Sequence, residues 1–314
     1  MRVAVTGGAG YIGSTLIRNL LAERHSVASL DNQAKGDYCH LRDLNAKSLT
    51  LIEGDIRNAG DLDTILKGAD TVVHMAALSD LDSCNEDSEE AISVNIYGTH
   101  KVLEAAERNR VRRLIFCSSA AIYGVPMSLP VTEKHGLHPL NLYGVTKLAG
   151  EKLIDAHHVN HGLETVNLRF GNVYGVGLYT SWVGVIPKFV ALGLEGKPLT
   201  VYGDGESTRD FVHVEDISRA ITLGLTKEGI RNETFNIGSE TTTVNKIASL
   251  VASEIEKATG KRPEVTHLPP RPGETKEFSY NTSKIERALG FKPKWRLRDG
   301  VRQIIEYRLK NQKQ

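Results

Sequence analysis

The sequence lacks long apolar stretches and has almost no net charge. No run of about 18 apolar residues, the length that spans a membrane, occurs in the 314 residues, and the N-terminus enters a predicted strand rather than a signal peptide. The 39 Lys and Arg residues nearly balance the 38 Asp and Glu residues, for a net charge of +1, so a basic surface for nucleic acid or membranes is not expected. We expect a cytoplasmic protein of soluble metabolism, with neither nucleic acid nor membrane as a partner.

Cysteine and metal-ligand patterns are also scarce. The three cysteines, at positions 39, 84 and 117, are widely spaced and form no CxxC pair, which fits a reducing cytoplasm. The 11 histidines include His157 and His158 on a predicted helix, but no HExxH or comparable spacing occurs. The sequence therefore predicts no metal site.

The opening "MRVAVTGGAGYIG" combines a short apolar run with three spaced glycines. Residues 3–5 suit a buried strand, and apolar residues at helical spacing follow from position 11. At such a strand-to-helix turn, Gly7 allows the tight turn, Gly10 lets the backbone approach a pyrophosphate, and Gly13 lets the helix pack close to the strand. The N-terminus of the helix then favours phosphates. This turn is a candidate dinucleotide site.

The second predicted strand, "SVASLDNQ", ends at Asp31. A carboxylate there can accept hydrogen bonds from both ribose hydroxyls of an adenosine and would repel a 2′-phosphate. The alternative interpretation makes Asp31 a turn residue before Asn32. Together with the glycine turn, Asp31 favours NAD over NADP.

Predicted strands and helices alternate along the first part of the chain. This alternation predicts an α/β fold, a Rossmann-like doubly wound parallel sheet covered by helices on both faces. We expect an NAD-binding Rossmann domain over residues 1–175, to which segments near 211–240 return. Residues 176–314 would form mainly a smaller C-terminal substrate-binding lobe over the carboxyl ends of the strands.

The stretch "YGVTK" places Tyr143 and Lys147 four residues apart, on one face of a helix. A lysine ammonium, helped by a cationic nicotinamide, would favour the phenolate of the tyrosine, which could then take a proton from a sugar or alcohol hydroxyl. Upstream, "FCSSAAIYG" places Ser119 after a predicted central strand, where its hydroxyl could share that proton. The alternatives are a packed tyrosine beside a solvated lysine, and a serine that caps a turn.

Several motifs in this order resemble the extended short-chain dehydrogenase/reductase family of NAD-dependent nucleotide-sugar epimerases and dehydratases. The resemblance covers nearly the whole chain and is carried by "TGGAGYIG", "HMAA", "VNIYGT", "SSAAIYG", "YGVTK", "LRFGNVYG", "GDGESTRDFVHVEDI" and "RPGE". It implies NAD as the cofactor, a nucleotide sugar as the substrate, and a homodimer formed through helices near 86–108 and 141–160.

The resemblance also implies roles for individual residues. The catalytic residues would be Ser119, Tyr143 and Lys147. The cofactor-binding residues would be Gly7, Gly10, Tyr11, Ile12, Gly13, Asp31, Asn32, Asp55, Ile56, Ala76, Ala77, Asn95, Tyr143, Lys147 and Phe170, of which Asp55 and Ile56 would hold the adenine and Phe170 would pack near the nicotinamide. The substrate-binding residues would be Ser119, Tyr143, Asn172, Arg209 and Arg271, with the two arginines as a pyrophosphate clamp.

The residues after Ser119 bear on which reaction is expected. Dehydratases of the family carry an Asp-Glu pair there, whereas this chain has Ala120 and Ala121, which cannot transfer a proton. We therefore expect a 4-epimerase, with interconversion of UDP-glucose and UDP-galactose as the first choice, by transient oxidation of C4 to a 4-keto sugar and return of hydride to its other face. The alternatives are a nucleotide-sugar reductase or dehydrogenase, an epimerase of a UDP-N-acetylhexosamine or UDP-uronate, and a non-catalytic NAD-binding regulator.

Three departures from the family pattern leave the sugar open. Gly171 replaces an aromatic residue and is expected to open space beside the cofactor. Residues 80–90 are acidic where many epimerases carry a basic or amide residue, and Phe278 falls near the position that limits sugar size. Cys117, which precedes the serine pair, is expected to pack as a small hydrophobic residue.

Overall fold

Strands and helices alternate along most of the chain. The computed structural model describes residues 1–44, 47–179, 184–270 and 276–311. The strands are β1 (Arg2–Thr6), β2 (Ser26–Asp31), β3 (Leu49–Glu53), β4 (Thr71–His74), β5 (Arg113–Ser119), β6 (Glu164–Phe170), β7 (Asn172–Tyr174), β8 (Leu199–Tyr202), β9 (Thr208–His213), β10 (Glu233–Ile237), β11 (Glu240–Thr243) and β12 (Val265–Leu268). The helices are α1 (Tyr11–Ala22), α2 (Cys39–Arg42), α3 (Ala59–Leu66), α4 (Leu81–Glu86), α5 (Ser88–Ile92), α6 (Thr99–Arg108), α7 (Leu142–His161), α8 (Val185–Leu194), α9 (Val214–Thr226), α10 (Val244–Thr259), α11 (Ser283–Leu289) and α12 (Leu297–Asn311).

Seven of the strands form one parallel sheet in the order β10-β6-β5-β4-β1-β2-β3. The chain builds outward from β1 to β3 and then crosses back to place β4 on the other side of β1. The strand order therefore reverses between β1 and β4, and ligands of doubly wound sheets bind at such a crevice. The predicted Rossmann-like fold is confirmed.

Both faces of this sheet are buried under helices. Side chains alternate across a strand, so Val3 and Val5 belong to one apolar cluster and Ala4 to the other. The first cluster includes residues of α1 and α9, and the second includes residues of α3, α6 and α7. Burial on both faces explains why the strands read as nearly continuous apolar runs.

The later part of the chain contributes to more than one core. Helices α8, α10 and α12 share a third apolar cluster with β8 and β9, whereas β10 joins the large sheet beside β6. Phe291, just after α11, is buried in the first cluster. Chain segments after residue 175 thus return to the large sheet, both at β10 and near α11.

The sequence predicts one continuous helix across residues 89–109, but the structure divides it. A π-helical turn, Ser93–Gly98, separates α5 from α6. Gly98 lies against Ile56, because a Cβ at this glycine would come within 2.9 Å of Ile56 Cγ1. Such single turns widen a helix locally and re-aim its side chains, here that of Asn95.

The structure also shows no candidate for a membrane span. Among the described residues, no helix combines the length and the apolar character that crossing a bilayer requires.

Candidate active site

The predicted site residues cluster at the carboxyl ends of the parallel strands. Gly7 follows β1, Asp31 ends β2, Ala76 follows β4, Ser119 ends β5, and Phe170 ends β6. Because parallel strands present their carboxyl ends at one edge of the sheet, the fold brings together residues that lie far apart in the sequence.

The three glycines of the first turn have different surroundings. Gly7 has φ +78°, and a Cβ on it would lie 2.7 Å from the backbone nitrogen of Ala76. A Cβ on Gly13 would strike the carbonyl oxygen of Gly7 and lie 2.7 Å from Gly8 Cα. A Cβ on Gly10, by contrast, would meet only the Gly7 oxygen, at 3.5 Å. Close backbone packing therefore requires glycine at positions 7 and 13, whereas the space next to the Gly10 backbone is open.

The start of α1 is suited to an anion. Gly10 is its N-cap, no side chain caps the helix, and its first turn contains no acidic residue. The uncapped N–H groups of a helix N-terminus carry a partial positive charge. Tyr11 and Ile12 form the first turn, and the Tyr11 hydroxyl donates to the Gly175 carbonyl at 2.7 Å.

Asp31, the last residue of β2, stabilises the backbone of the glycine turn. Its carboxylate accepts hydrogen bonds from the backbone nitrogens of Ala9, at 2.9 Å, and Gln33, at 2.7 Å. Burial raises the pKa of Asp31, and these two hydrogen bonds oppose the rise. Asn32 is exposed, and its side chain accepts only the local hydrogen bond from Ala34, at 3.2 Å. These contacts fit the turn interpretation of Asp31. The nucleotide interpretation stays a prediction, and the second lone pair of each carboxylate oxygen is compatible with it.

The two residues predicted to hold adenine lie just after β3. The Asp55 carboxylate pairs with Arg57, whose Nε lies 2.9 Å away, and this partner lowers the pKa of Asp55. Arg57 also contacts Glu90 at 2.7 Å, and Ile56 is buried against Gly98. Sequence reasoning missed Arg57 and Glu90, because neither belongs to one of the motifs.

Asn95 connects the loop after β4 to helix α7 through its side-chain amide. Its Oδ1 accepts from the Leu78 nitrogen at 2.7 Å, and its Nδ2 donates to the Leu78 carbonyl at 2.9 Å and to Thr146 Oγ1 at 3.0 Å. Both amide hydrogens are thus used. Asn95 fixes the segment that follows Ala76 and Ala77 to the helix that carries Lys147.

Ser119, Tyr143 and Lys147 come together at the end of β5 and the first turns of α7. A hydrogen bond from Ser119 lowers the pKa of Tyr143, but burial outweighs it and raises that pKa to about 12. Burial also lowers the pKa of Lys147 to about 8. Asn141 caps α7 by accepting from the Gly144 nitrogen at 2.8 Å, which fixes the start of the helix that carries both residues.

The structure modifies the expected partnership of Tyr143 and Lys147. The lysine ammonium lies 5.8 Å from the centroid of the tyrosine ring and donates to the Cys117 carbonyl at 2.8 Å. Ser119, not Lys147, is the group whose contact lowers the pKa of Tyr143 in the folded chain. The physical reason is that the phenol is removed from water while the ammonium is held against the backbone of β5.

Phe170, predicted to pack near the nicotinamide, and two of the predicted substrate residues belong to the chain around the end of β6 and β9. Phe170 is buried, and Asn172 is exposed with its Nδ2 3.3 Å from the Asp210 carbonyl. Arg209 is half-buried and donates to the Thr208 carbonyl at 2.8 Å. Arg271 lies outside the described residues.

One expectation about departures from the family pattern is corrected. Gly171 does not open space, because a Cβ there would lie 2.8 Å from the Asp210 carbonyl oxygen, so β9 occupies that volume. Within the acidic stretch 80–90, Asp80 caps α4, and its carboxylate lies 3.1 Å from the Lys35 ammonium.

Phe278 and Cys117 are both buried. Phe278 packs with Ile122 and Tyr123, close behind Ser119 in the chain. Cys117 packs within the first apolar cluster, as expected of a small hydrophobic residue, and burial raises its pKa to about 12.

Comparison with known proteins agrees with this geometry. The model of the family described as "NAD dependent epimerase/dehydratase family" matches residues 3–238. The chain belongs to this family. The family is NAD-dependent, so NAD is the cofactor of this epimerase/dehydratase.

Individual relatives differ in their reactions. A putative UDP-glucose 4-epimerase of Methanocaldococcus jannaschii is 33% identical over 98% of this chain and 99% of its own length. The solved UDP-N-acetylglucosamine 4-epimerase from Methanobrevibacter ruminantium superposes with a TM-score of 0.91, at 30% identity over 99% of this chain and 98% of that one. A dTDP-glucose 4,6-dehydratase from Streptomyces venezuelae, solved with NAD, gives the same TM-score at 32% identity over 100% of this chain and 98% of that one. Overall similarity does not separate epimerases from dehydratases.

A buried ion pair anchors α7, the helix that carries Tyr143 and Lys147 in this epimerase/dehydratase. Arg169 in β6 donates from Nε and from its second terminal nitrogen to the two carboxylate oxygens of Glu151 in α7, at 2.9 and 2.7 Å. Arg169 also donates to the Tyr123 hydroxyl at 2.6 Å. Both charged side chains are almost fully buried. Their bidentate contact therefore fixes α7 against the sheet two turns after Tyr143.

Proposed function

We propose that this family member is a nucleotide-sugar 4-epimerase that interconverts UDP-glucose and UDP-galactose. The observation that carries the proposal is the 3₁₀ turn Ala120–Ile122, which follows Ser119 directly. Its first two residues are alanines, so the acid and base that a 4,6-dehydration needs are missing from the position where dehydratases carry them. Within the described part of the chain, the other groups that shift the pKa of Tyr143 are the Cys84 and Cys117 thiols, not carboxylates.

We propose that NAD lies along the crevice above β1 and β4. The uncapped start of α1 and the open side of Gly10 suit the pyrophosphate, and Asp31 suits the adenosine ribose. Asp55 and Ile56 would flank the adenine, and Ala76, Ala77 and Phe170 would line the nicotinamide half. When bound, NAD supplies an acceptor and donor of hydride for the sugar carbon.

The chain's own residues would handle the proton. Tyr143 would take the proton of the sugar 4-hydroxyl, and Ser119 would hold that oxygen in line by hydrogen bonding. Lys147, fixed by the Cys117 carbonyl, would place a positive charge near the phenol. Asn172, Arg209 and Arg271 would hold the diphosphate, and the segments after residue 175 would form most of the substrate-binding lobe.

We also propose a homodimer in the cytoplasm. Ile92, Tyr97 and Val145 are large apolar residues, each 44–49% exposed, on α5, the π-helical turn and α7. An exposed apolar surface of this kind suits a partner subunit. We expect light scattering to give twice the mass of the chain for the wild type and the mass of the monomer for Ile92→Glu.

The proposed location in the cytoplasm is supported by the cysteines. The free cysteines at positions 39, 84 and 117 fit a reducing compartment.

The direct test uses UDP-glucose without added NAD. We expect chromatography of the products to show UDP-galactose from the purified protein and none from a Tyr143→Phe variant. A 4-keto-6-deoxy sugar would instead identify a dehydratase, and stoichiometric NADH would identify a dehydrogenase. Conversion of UDP-N-acetylglucosamine or UDP-glucuronate alone would move the proposal to another sugar.

The glycine turn predicts two different outcomes for two similar substitutions. Gly13→Ala should destabilise the protein by about 2 kcal/mol, because its Cβ overpacks the turn, and should also reduce NAD affinity. Gly10→Ala should change the free energy of unfolding by less than about 1 kcal/mol yet weaken NAD binding at least tenfold. Thermal unfolding measures the change in stability of each variant, and titration with NAD measures the change in affinity. Equal NAD affinity of Gly10→Ala and wild type would contradict the proposed site.

The hydrogen bond between Ser119 and Tyr143 predicts a shift in pH dependence. Because this contact lowers the pKa of Tyr143, Ser119→Ala should raise that pKa, so a higher pH is needed to form the phenolate. The rise of kcat/KM with pH should therefore move to higher pH. Ser118→Ala is the matched control, since its buried hydroxyl has no hydrogen-bond partner among the described residues. A Ser119→Ala profile that is lower but unshifted would contradict this role.

A further inference from the structure

Three potential metal ligands meet where α6 and α7 end. His157 and His161 lie four residues apart in α7 and therefore on one face of it. Glu107 lies in the last turn of the neighbouring helix α6. One ligand atom from each residue lies within 4.8 Å of the other two.

The contacts within this cluster converge on the Glu107 carboxylate. Nδ1 of His161 lies 2.8 Å from one of its oxygens, and Nε2 of His157 lies 3.8 Å from the other. The second distance is too long for a hydrogen bond, and His157 Nε2 is buried with no hydrogen-bond partner in the described part of the chain. The two imidazole rings stack with their centroids 4.3 Å apart. The cluster thus holds a buried nitrogen that a cation would satisfy.

The surroundings leave room for a further ligand. The three side chains line a surface cavity of about 410 Å³, which Arg110, Arg112, Glu164 and Arg231 also border. Glu164 pairs with Arg112 at 2.9 Å, with Arg113 at 2.9 Å and with Arg231 at 3.2 Å, which offsets part of the positive charge near the cluster.

We propose that Glu107, His157 and His161 form a binding site for a divalent transition metal of the Zn²⁺ type. Two imidazoles and one carboxylate are a common Zn²⁺ ligand set, with water in the fourth position of a tetrahedron. Bonds of about 2.0–2.1 Å place tetrahedral ligands about 3.3 Å apart, so the cluster must close slightly. Glu107 and His161 have room to do so, because their side chains are 48% and 40% exposed.

This site stands apart from the proposed catalytic centre. His157 follows Tyr143 by fourteen residues in the same helix, which is about 21 Å at the rise of an α-helix. The bound metal would join the last turn of α6 to the last turns of α7. Metal binding is therefore expected whether or not the protein proves to be a 4-epimerase.

The test is titration of the full chain, free of any affinity tag and stripped of metal with a chelator. We expect calorimetry to give one Zn²⁺ per chain. His161→Ala and Glu107→Gln should each weaken this binding at least 100-fold, since loss of an outer-shell partner alone costs about 10- to 100-fold. His40→Ala, which removes an exposed histidine elsewhere, should bind as the wild type does. Co²⁺ should give the strong visible absorbance of a four-coordinate site in the wild type and lose it in the two ligand variants.

Several outcomes would overturn the proposal. One is no stoichiometric binding to the wild type, and another is unchanged binding in both ligand variants, which would place the metal elsewhere. Glu107→Gln keeps the size and a hydrogen-bonding oxygen of the side chain, so it separates loss of a ligand from loss of folding, and circular dichroism checks the fold of each variant. Zn²⁺ should also raise the melting temperature of the wild type but not of Glu107→Gln.

Discussion

Replacing Tyr143 by phenylalanine is expected to reduce turnover of the nucleotide sugar about 10³-fold, within the range attributed to a positioned acid or base. The substitution removes only the hydroxyl that Ser119 contacts. The ring remains, and so does its packing near Lys147. Turnover measured under saturating substrate gives the effect directly.

Two controls make the Tyr143→Phe result specific. NAD affinity should stay within a few-fold of wild type, because the glycine turn and Asp31 are untouched. Tyr97→Phe removes a hydroxyl from a tyrosine that is 49% exposed on the π-helical turn, and its turnover should equal that of the wild type. Full turnover by Tyr143→Phe would refute the catalytic role of Tyr143, whereas no turnover by the wild type would favour the NAD-binding regulator considered from the sequence.

Removing one partner of the buried ion pair is expected to have the largest effect on stability. Glu151→Ala should reduce the free energy of unfolding by about 3–5 kcal/mol, because it leaves the Arg169 guanidinium buried without its carboxylate. Chemical denaturation monitored by circular dichroism measures the change. Lys152→Ala, at the next position of α7, breaks only an exposed pair with Asp155 and should cost less than about 1 kcal/mol.

A double substitution separates the buried charge from the lost contact. Glu151→Leu with Arg169→Met removes both charges and should recover much of the stability that Glu151→Ala loses. If Glu151→Ala costs no more than Lys152→Ala, the pair does not anchor α7. If turnover at low temperature falls along with stability, the pair also positions Tyr143, which the same helix carries.

Local sequence patterns predicted the fold and the glycine turn, whereas the family resemblance implied most of the other residues that gather at the sheet edge. The apolar runs and the three glycines define β1, its turn and α1 without reference to the rest of the chain. The spacing of Tyr143 and Lys147 likewise requires only one helix. Each of these predictions rests on residues that are close in the sequence, which is where periodicity carries information.

Features that depend on contacts between distant segments were not predictable in this way. Gly171 appeared to open space, but the backbone at Asp210 occupies that volume. The pairing of Arg169 with Glu151 and the meeting of Glu107 with His157 and His161 join different elements and leave no local pattern. The π-helical turn at Ser93–Gly98 is compatible with the same apolar spacing as a regular helix. These differences arise from tertiary packing, which a single sequence does not display.

The position of β10 at the edge of the large sheet has a consequence for synthesis of the chain. Strand β6 pairs with β5 on one side and with β10 on the other, and β10 begins only at Glu233. A growing polypeptide that has passed β6 but not yet reached Glu233 presents an unpaired edge, the kind of surface through which nascent chains associate. A gene cut after residue 175 would make that temporary edge permanent, so a truncated product is expected to aggregate even though it contains every glycine of the first turn and the Ser119, Tyr143 and Lys147 side chains.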